Sequence, residues 1–344
     1  MIPSRTIHIL GLGSIGSFIA HSLRSLPNAP PVTLLAHRKG LYDELVASGG
    51  KLGLRVKEDG PLQQSDGFDA EFLGDPVSSD PIHNLIVAVK ASATVAALGP
   101  IRHRLGPQST VCLFQNGLGQ LDDLNSRIFT DPATRPAYMF GIMRHGVYLR
   151  SSVEAILSGT SGTAAIGVVG NQGPSFTPSQ PRYLLETLLR SPALRCESFD
   201  WADLYRMQLL KLASNCVLNP LTALLDVRNG CIDESADLLP LQRSLLTEIS
   251  AVYQNLPELD DLPIDREQFS VPALEAVLRD TVEKTAQNSS SMREDMRKGR
   301  ATEIEFINGW IMRRGRELGI SCDANATVTQ LVLAKSRLGI NAAK

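Results

Sequence analysis

The chain has 344 residues, with 34 Lys and Arg against 36 Asp and Glu, and it is 43% hydrophobic but only 5% aromatic. That length exceeds one ordinary domain, and the apolar content is enough for a sizeable core. Balanced charge without a basic cluster excludes nucleic acid and membrane surfaces as electrostatic partners, and no apolar run is long enough to span a bilayer. The first strand pattern opens at Thr6, which leaves no room for a cleavable leader, so a cytoplasmic protein is expected. Five cysteines (Cys112, Cys196, Cys216, Cys231 and Cys322) are scattered without C-x-x-C spacing. They read as reduced thiols rather than a disulfide framework or zinc site, and no metal is expected.

In chain order, short Val/Ile/Leu-rich runs at Ile7–Leu10, Val32–Ala36, 85–89, 111–114 and 165–169 alternate with helical patterns such as 17–26 and 94–105. Continuous apolar runs of this length suit strands buried on both faces of a parallel sheet, joined by βαβ crossovers. A Pro/Gly/Ser loop at 171–181 lies inside this half. Beyond Trp201 the strand-like runs stop, and 204–225, 236–256, Val271–Thr285 and 301–318 all read as helices. The predicted fold class is α/β: a Rossmann-type, doubly wound parallel sheet over residues 1–200, followed by an all-helical domain over 201–344.

Gly11-Leu12-Gly13-Ser14-Ile15-Gly16 follows the first strand and opens the first helix. In that context G-x-G-x-x-G is a dinucleotide loop: a tight turn, a close backbone approach, and close helix–strand packing. The second strand then selects among cofactors. It ends Ala36-His37-Arg38-Lys39, with no carboxylate to bind the ribose hydroxyls of NAD. Two adjacent cations suit the 2′-phosphate of NADP, with Arg38 able to make a forked contact.

Two polar residues close further strands. Lys90 follows the run 85–89, and Asn116 follows 111–114 and precedes Gly117. Ligands of open α/β sheets bind at that edge, although Asn-Gly is also a common turn dipeptide. In the helix 204–225, Lys211, Asn215 and Asn219 recur at i, i+4 and i+8 and so share one face. An exposed polar stripe is the plain reading, but the flanks offer few other charges. Lysine is rarely buried unpaired, so this column is a candidate site. A run from Asn288 through Ser291 to Met292, and Glu303 in Thr302-Glu303-Ile304-Glu305-Phe306-Ile307-Asn308, could serve equally as helix caps and first-turn acids.

Together these motifs resemble the ketopantoate reductase (2-dehydropantoate 2-reductase) family over nearly the whole chain. The resemblance runs through GLGSIG, VAVKA at Lys90, QNGLG at Asn116, His145-Gly146, KLASNCVLNPLTAL from Lys211, Asn229-Gly230, NSSSM and TEIEFING. It implies that Lys211 is the general acid and that Asn116, Asn215, Asn219, Asn229, Asn288 and Ser291 contact the substrate. Lys90, Asn116 and Glu303 would lie near the nicotinamide of NADP, and Arg38 at its 2′-phosphate. Met143-Arg144 stands where the family usually has Thr-Thr, and the 171–181 loop is longer than usual.

The chemistry fits these residue types. Reducing a 2-oxo acid needs a hydride at carbon and a proton at oxygen, and an ammonium can donate the proton and stabilise the alkoxide. The resemblance implies NADPH-dependent reduction of 2-dehydropantoate to pantoate, for pantothenate and coenzyme A. The alternatives are a reductase of another branched 2-oxo acid, such as 2-oxoisovalerate, and a non-catalytic NADPH-binding relative. The last has no reason to keep Lys211, Glu303 and the asparagine column together. Helical second domains of this kind often support a homodimer.

Overall fold

Strands β1 (Ile7–Leu10) and β2 (Val32–Ala36) form because their apolar runs are buried along nearly their whole length. The computed structural model describes residues 4–74, 78–170 and 181–342. The 171–181 loop therefore lies, apart from Pro181, outside the described residues. Further strands are β3 (Leu52–Val56), β4 (Gln63–Ser65), β5 (Asp69–Phe72), β6 (Asn84–Val87), β7 (Thr110–Leu113) and β8 (Ala137–Met143). They are followed by β9 (Val147–Ser151), β10 (Glu154–Leu157), β11 (Ala164–Val168) and β12 (Cys196–Ser198).

Eight of these make one sheet in the order β12-β11-β8-β7-β6-β1-β2-β5. Every pair in it is parallel except β8 with β11. This is the Rossmann-type sheet that the strand–helix alternation predicts. The other four form a small sheet, β4-β3-β10-β9, which the sequence patterns do not predict. Helix α1 (Ser14–Arg24) packs on β1 and β2 of the large sheet and on β3, β9 and β10 of the small one. That double contact explains why all residues from 16 to 23 are buried, where a surface helix would bury one stripe.

Helices α2 (Lys39–Ala47), α3 (Thr94–Leu98), α4 (Gln120–Arg127) and α5 (Arg182–Leu189) complete this part of the chain. The helix expected over 94–105 is shorter. Pro100 has no N–H to continue it, and 3₁₀ turns take over at Gly99–Arg104. The remaining helices are α6 (Trp201–Leu225), α7 (Cys231–Glu234), α8 (Leu239–Gln254), α9 (Val271–Thr285), α10 (Ser291–Arg297), α11 (Asn308–Leu318) and α12 (Asp323–Ala342). Here too the 301–318 prediction is broken: Ile307, at φ −103° and ψ −97°, separates a short turn at Ile304–Phe306 from α11.

The chain divides into two compact units: Met1–Gln115 with Gln120–Leu204, and Asn116–Gly119 with Tyr205–Lys344. The division falls inside α6, four residues beyond the expected boundary, and it assigns the short segment after β7 to the helical unit. In that unit α8 packs against α9, α11 and α12. The buried Tyr253 meets Phe269 and Trp310 edge-on, with ring centroids 5.4 and 6.4 Å away, and its hydroxyl donates to Leu209 O at 2.9 Å.

Candidate functional site

In the first unit the glycine loop is shaped by contacts that no side chain could share. Gly11 has φ +101°, and a Cβ there would lie 2.5 Å from Val89 N. A Cβ on Gly16 would lie 1.9 Å from Gly11 O, so α1 meets the turn backbone to backbone. Gly13 differs: a Cβ there would meet nothing within 4 Å. It is the N-cap of α1, with no side-chain cap and no acidic residue in the first turn. Free N–H groups, the positive end of an eleven-residue helix and open space over Gly13 fit a pyrophosphate.

At the end of β2 the two cations differ. Arg38 is exposed and makes no ion pair or side-chain hydrogen bond among the described residues. Lys39 pairs with Asp43, and its ammonium stands 5.3 Å from the Tyr42 ring centroid and 5.9 Å from that of Phe72. Beside them, burial and the Arg38 charge lower the pKa of His37. Lys90 is half-buried after β6, next to Val89, whose amide abuts Gly11. Gln115 links the neighbouring strand end, donating to Val89 O and Thr94 Oγ1, both at 2.7 Å.

His145 is buried beside Phe18, with ring centroids 4.9 Å apart. Its Nδ1 lies 3.0 Å from Met143 Sδ, so the methionine that departs from the family pattern packs on this histidine. Burial lowers the imidazole's pKa.

In the second unit the structure brings Lys211 and Asn116 together: Lys211 Nζ donates to Asn116 Oδ1 at 3.0 Å. The sequence places them 95 residues apart, and the turn after β7 closes the distance. Gly117, at φ +80°, would put a Cβ 2.3 Å from Phe306 O, and Leu118 N donates to that same carbonyl at 2.9 Å. The turn is thereby fastened to the segment that carries Glu303, which is half-buried just before it. Asn215 and Asn219 follow Lys211 along one face of α6, the first half-buried and the second 5% exposed. Neither side chain makes a hydrogen bond among the described residues.

The other predicted contacts form a second group. Thr222 Oγ1 lies 2.7 Å from Ser290 Oγ, which docks the serine run on the end of α6. Ser290 also caps α10, whereas Ser291, the residue singled out from the sequence, is exposed at its first position. Asp226, at φ +56°, ends α6 and accepts Nε–H bonds from Arg297 at 2.8 Å and Arg293 at 2.9 Å. Those two guanidinium groups hold its carboxyl below the usual carboxylate range. Asn229 is buried and braces this loop: its backbone N–H donates to Asn288 O, and its Nδ2 to Thr285 Oγ1 at 3.0 Å. Asn288 itself is exposed. No group of three metal-ligating side chains converges among the described residues, and no described helix is long and apolar enough to cross a membrane.

Comparison with known proteins places these features in a family. The family model described as ketopantoate reductase PanE/ApbA matches residues 7–171, and its C-terminal counterpart matches residues 203–336. The 2-dehydropantoate 2-reductase of Saccharomyces cerevisiae is 28% identical over 98% of this chain and 95% of its own. A ketoisovalerate reductase of Gibberella fujikuroi is also 28% identical, over 93% and 80%. Among solved structures, a D-mandelate dehydrogenase with NADH and anilino(oxo)acetate superposes with a TM-score of 0.77 at 19% identity, over 97% of this chain and 99% of that one. At that identity the likeness is one of fold. With the two family models together matching residues 7–171 and 203–336 of one chain, this protein belongs to the ketopantoate reductase family of oxidoreductases.

Proposed function

We propose that the chain is an NADPH-dependent 2-dehydropantoate reductase that forms pantoate. The observation that carries this reading is the Lys211 ammonium, held at 3.0 Å by Asn116 on the helix face that also bears Asn215 and Asn219. Bound NADPH would supply the hydride for the keto carbon. Gly11, Leu12, Gly13, Ser14, Ile15 and Gly16, with the start of α1, would hold its pyrophosphate, and Arg38 its 2′-phosphate. By the family resemblance, Lys90, Asn116 and Glu303 would serve its nicotinamide end.

Lys211 Nζ donates the proton that the keto oxygen requires and stabilises the charge developing there. Asn116 Oδ1, by accepting from Nζ, restricts where the ammonium points. Asn215 and Asn219 offer amide N–H groups to the substrate carboxylate and hydroxyl without adding a negative charge against the incoming hydride. The family resemblance adds Asn229, Asn288 and Ser291, on the loop and helix docked to the end of α6, as further substrate contacts.

A second reading, reduction of 2-oxoisovalerate, is favoured by the fungal ketoisovalerate reductase that matches 93% of the chain at the same 28% identity. That substrate lacks the terminal hydroxyl, and a site built to bond a hydroxyl rejects its deoxy analogue by about 10⁴-fold. The test is NADPH oxidation by the purified chain against both acids. A kcat/KM for 2-dehydropantoate at least about 100-fold above that for 2-oxoisovalerate is expected, and equal or reversed values would move the assignment to the second acid.

A further inference from the structure

The helix that carries the candidate site contains a proline, Pro220, in its interior. In an α-helix each carbonyl accepts from the N–H four residues on. Cys216 O would therefore turn to residue 220, which has no N–H to give. Cys216 is wholly buried, so water cannot easily replace the missing donor.

The donor comes from another helix. Asn308, the first residue of α11 and wholly buried, donates from Nδ2 to Cys216 O at 2.8 Å. The second Nδ2 proton goes to Asn325 Oδ1 at 2.9 Å, and Asn325 is equally buried. Asn325 Nδ2 in turn donates to Glu248 Oε2 at 2.7 Å, and that carboxylate also receives the N–H groups of Ala324 and Asn325 at the start of α12. Both donors of the Asn308 amide are thus spent, while its Oδ1 is buried with no hydrogen-bond partner among the described residues. The opposite amide orientation would set an oxygen against the Cys216 carbonyl, so the network fixes which way Asn308 faces.

We propose that Asn308 is a positioning residue for the substrate face of α6, supplying the hydrogen bond that Pro220 removes; its consequence for turnover rests on the reductase reading above. Asn215 and Asn219 lie one residue before and three residues after Cys216. Asn219 also immediately precedes the proline, where helical backbone is disfavoured. Fastening the Cys216 carbonyl therefore fixes the turn that presents both amides. Lys211 lies upstream in the regular part of the helix, so the proton donor depends on this bond much less. Loss of Asn308 should then raise KM for the 2-oxo acid and leave kcat and NADPH affinity nearly unchanged.

The experiment compares Asn308→Ala, Pro220→Ala and the double variant with the wild-type chain, measuring steady-state kinetics, NADPH Kd and amide hydrogen exchange over residues 217–222. Asn308→Ala is expected to raise KM about 3- to 10-fold, as the net loss of one hydrogen bond gives, and to lower exchange protection by a similar factor. In the Pro220→Ala background the helix supplies its own N–H to Cys216 O. There Asn308→Ala should change KM and protection by less than about 2-fold. A folded Asn308→Ala variant with wild-type KM and wild-type protection would overturn the proposal, as would an undiminished loss in the Pro220→Ala background. If Asn308→Ala alone does not fold, the comparison within that background decides. Wild-type protein that reduces neither 2-oxo acid would remove the reductase reading instead, and the exchange measurements would still decide the role of the Asn308 amide.

Discussion

The cofactor assignment can be tested at one side chain. Arg38 is exposed and its guanidinium is unpaired among the described residues. Its backbone carbonyl accepts from Tyr42 N at 3.1 Å at the start of α2, but its side chain does not cap that helix. Arg38→Ala should therefore leave stability within about 0.5 kcal/mol, as for most exposed substitutions. A charge-assisted contact to a phosphate contributes about 1.5–3 kcal/mol, so KM for NADPH should rise about 10- to 150-fold. KM for NADH, which has no 2′-phosphate, should hardly move. Lys39 is the internal control: its ammonium is already engaged by Asp43 and stands over the rings of Tyr42 and Phe72. Lys39→Ala should change the NADPH/NADH ratio by less than about 3-fold, in keeping with the small net worth of exposed ion pairs. Arg38→Lys separates charge from fork geometry and should recover only part of the loss. An unchanged NADPH preference in Arg38→Ala, or a larger loss in Lys39→Ala, would refute the reasoning.

Three further outcomes are expected. Lys211→Ala should lower kcat by about 10²–10⁴, the usual contribution of a positioned acid, while NADPH Kd measured by fluorescence stays near the wild-type value; near-normal kcat in a folded variant would end the general-acid role. Gly16→Ala places a Cβ 1.9 Å from Gly11 O, so it should cost about 1–3 kcal/mol and weaken NADPH binding, whereas Gly13→Ala, with open space around it, should retain the wild-type Tm. His8 on β1 is held neutral, its pKa lowered to about 4 chiefly by burial and then by the Arg104 charge. The unfolded chain takes up that proton near pH 6.5 and the folded one only near pH 4. The contribution is therefore complete above pH 6.5 and lost as pH falls, by roughly 3 kcal/mol at pH 4; denaturant titrations of wild type and His8→Leu should diverge in slope over that window.

What the sequence makes legible here is what is local. Strands β1 and β2 are buried along nearly their whole length and are apolar except at His8 and Thr33, and the glycine at position 16 is demanded by the Gly11 carbonyl five residues back. The small sheet is opaque for the opposite reason. Its strands are short and partly exposed, and its central pair is parallel, joining Gly53 to Glu154 across about a hundred residues. The candidate site divides in the same way. Spacing along one helix shows that Lys211, Asn215 and Asn219 share a face, and a strand end marks Asn116 as polar in an apolar setting. Their meeting depends on the turn at Gly117 and its bond to Phe306, which no period records. In the serine run, three like residues stand in a row, and capping geometry alone decides that Ser290 is buried while Ser291 faces solvent. Pro220 belongs to both categories. Its place in a helix of otherwise regular pattern announces that the carbonyl of Cys216 needs a donor from elsewhere. Only the packing of α11 on α6 identifies that donor as Asn308, a residue the sequence offers merely as an asparagine near a helix start.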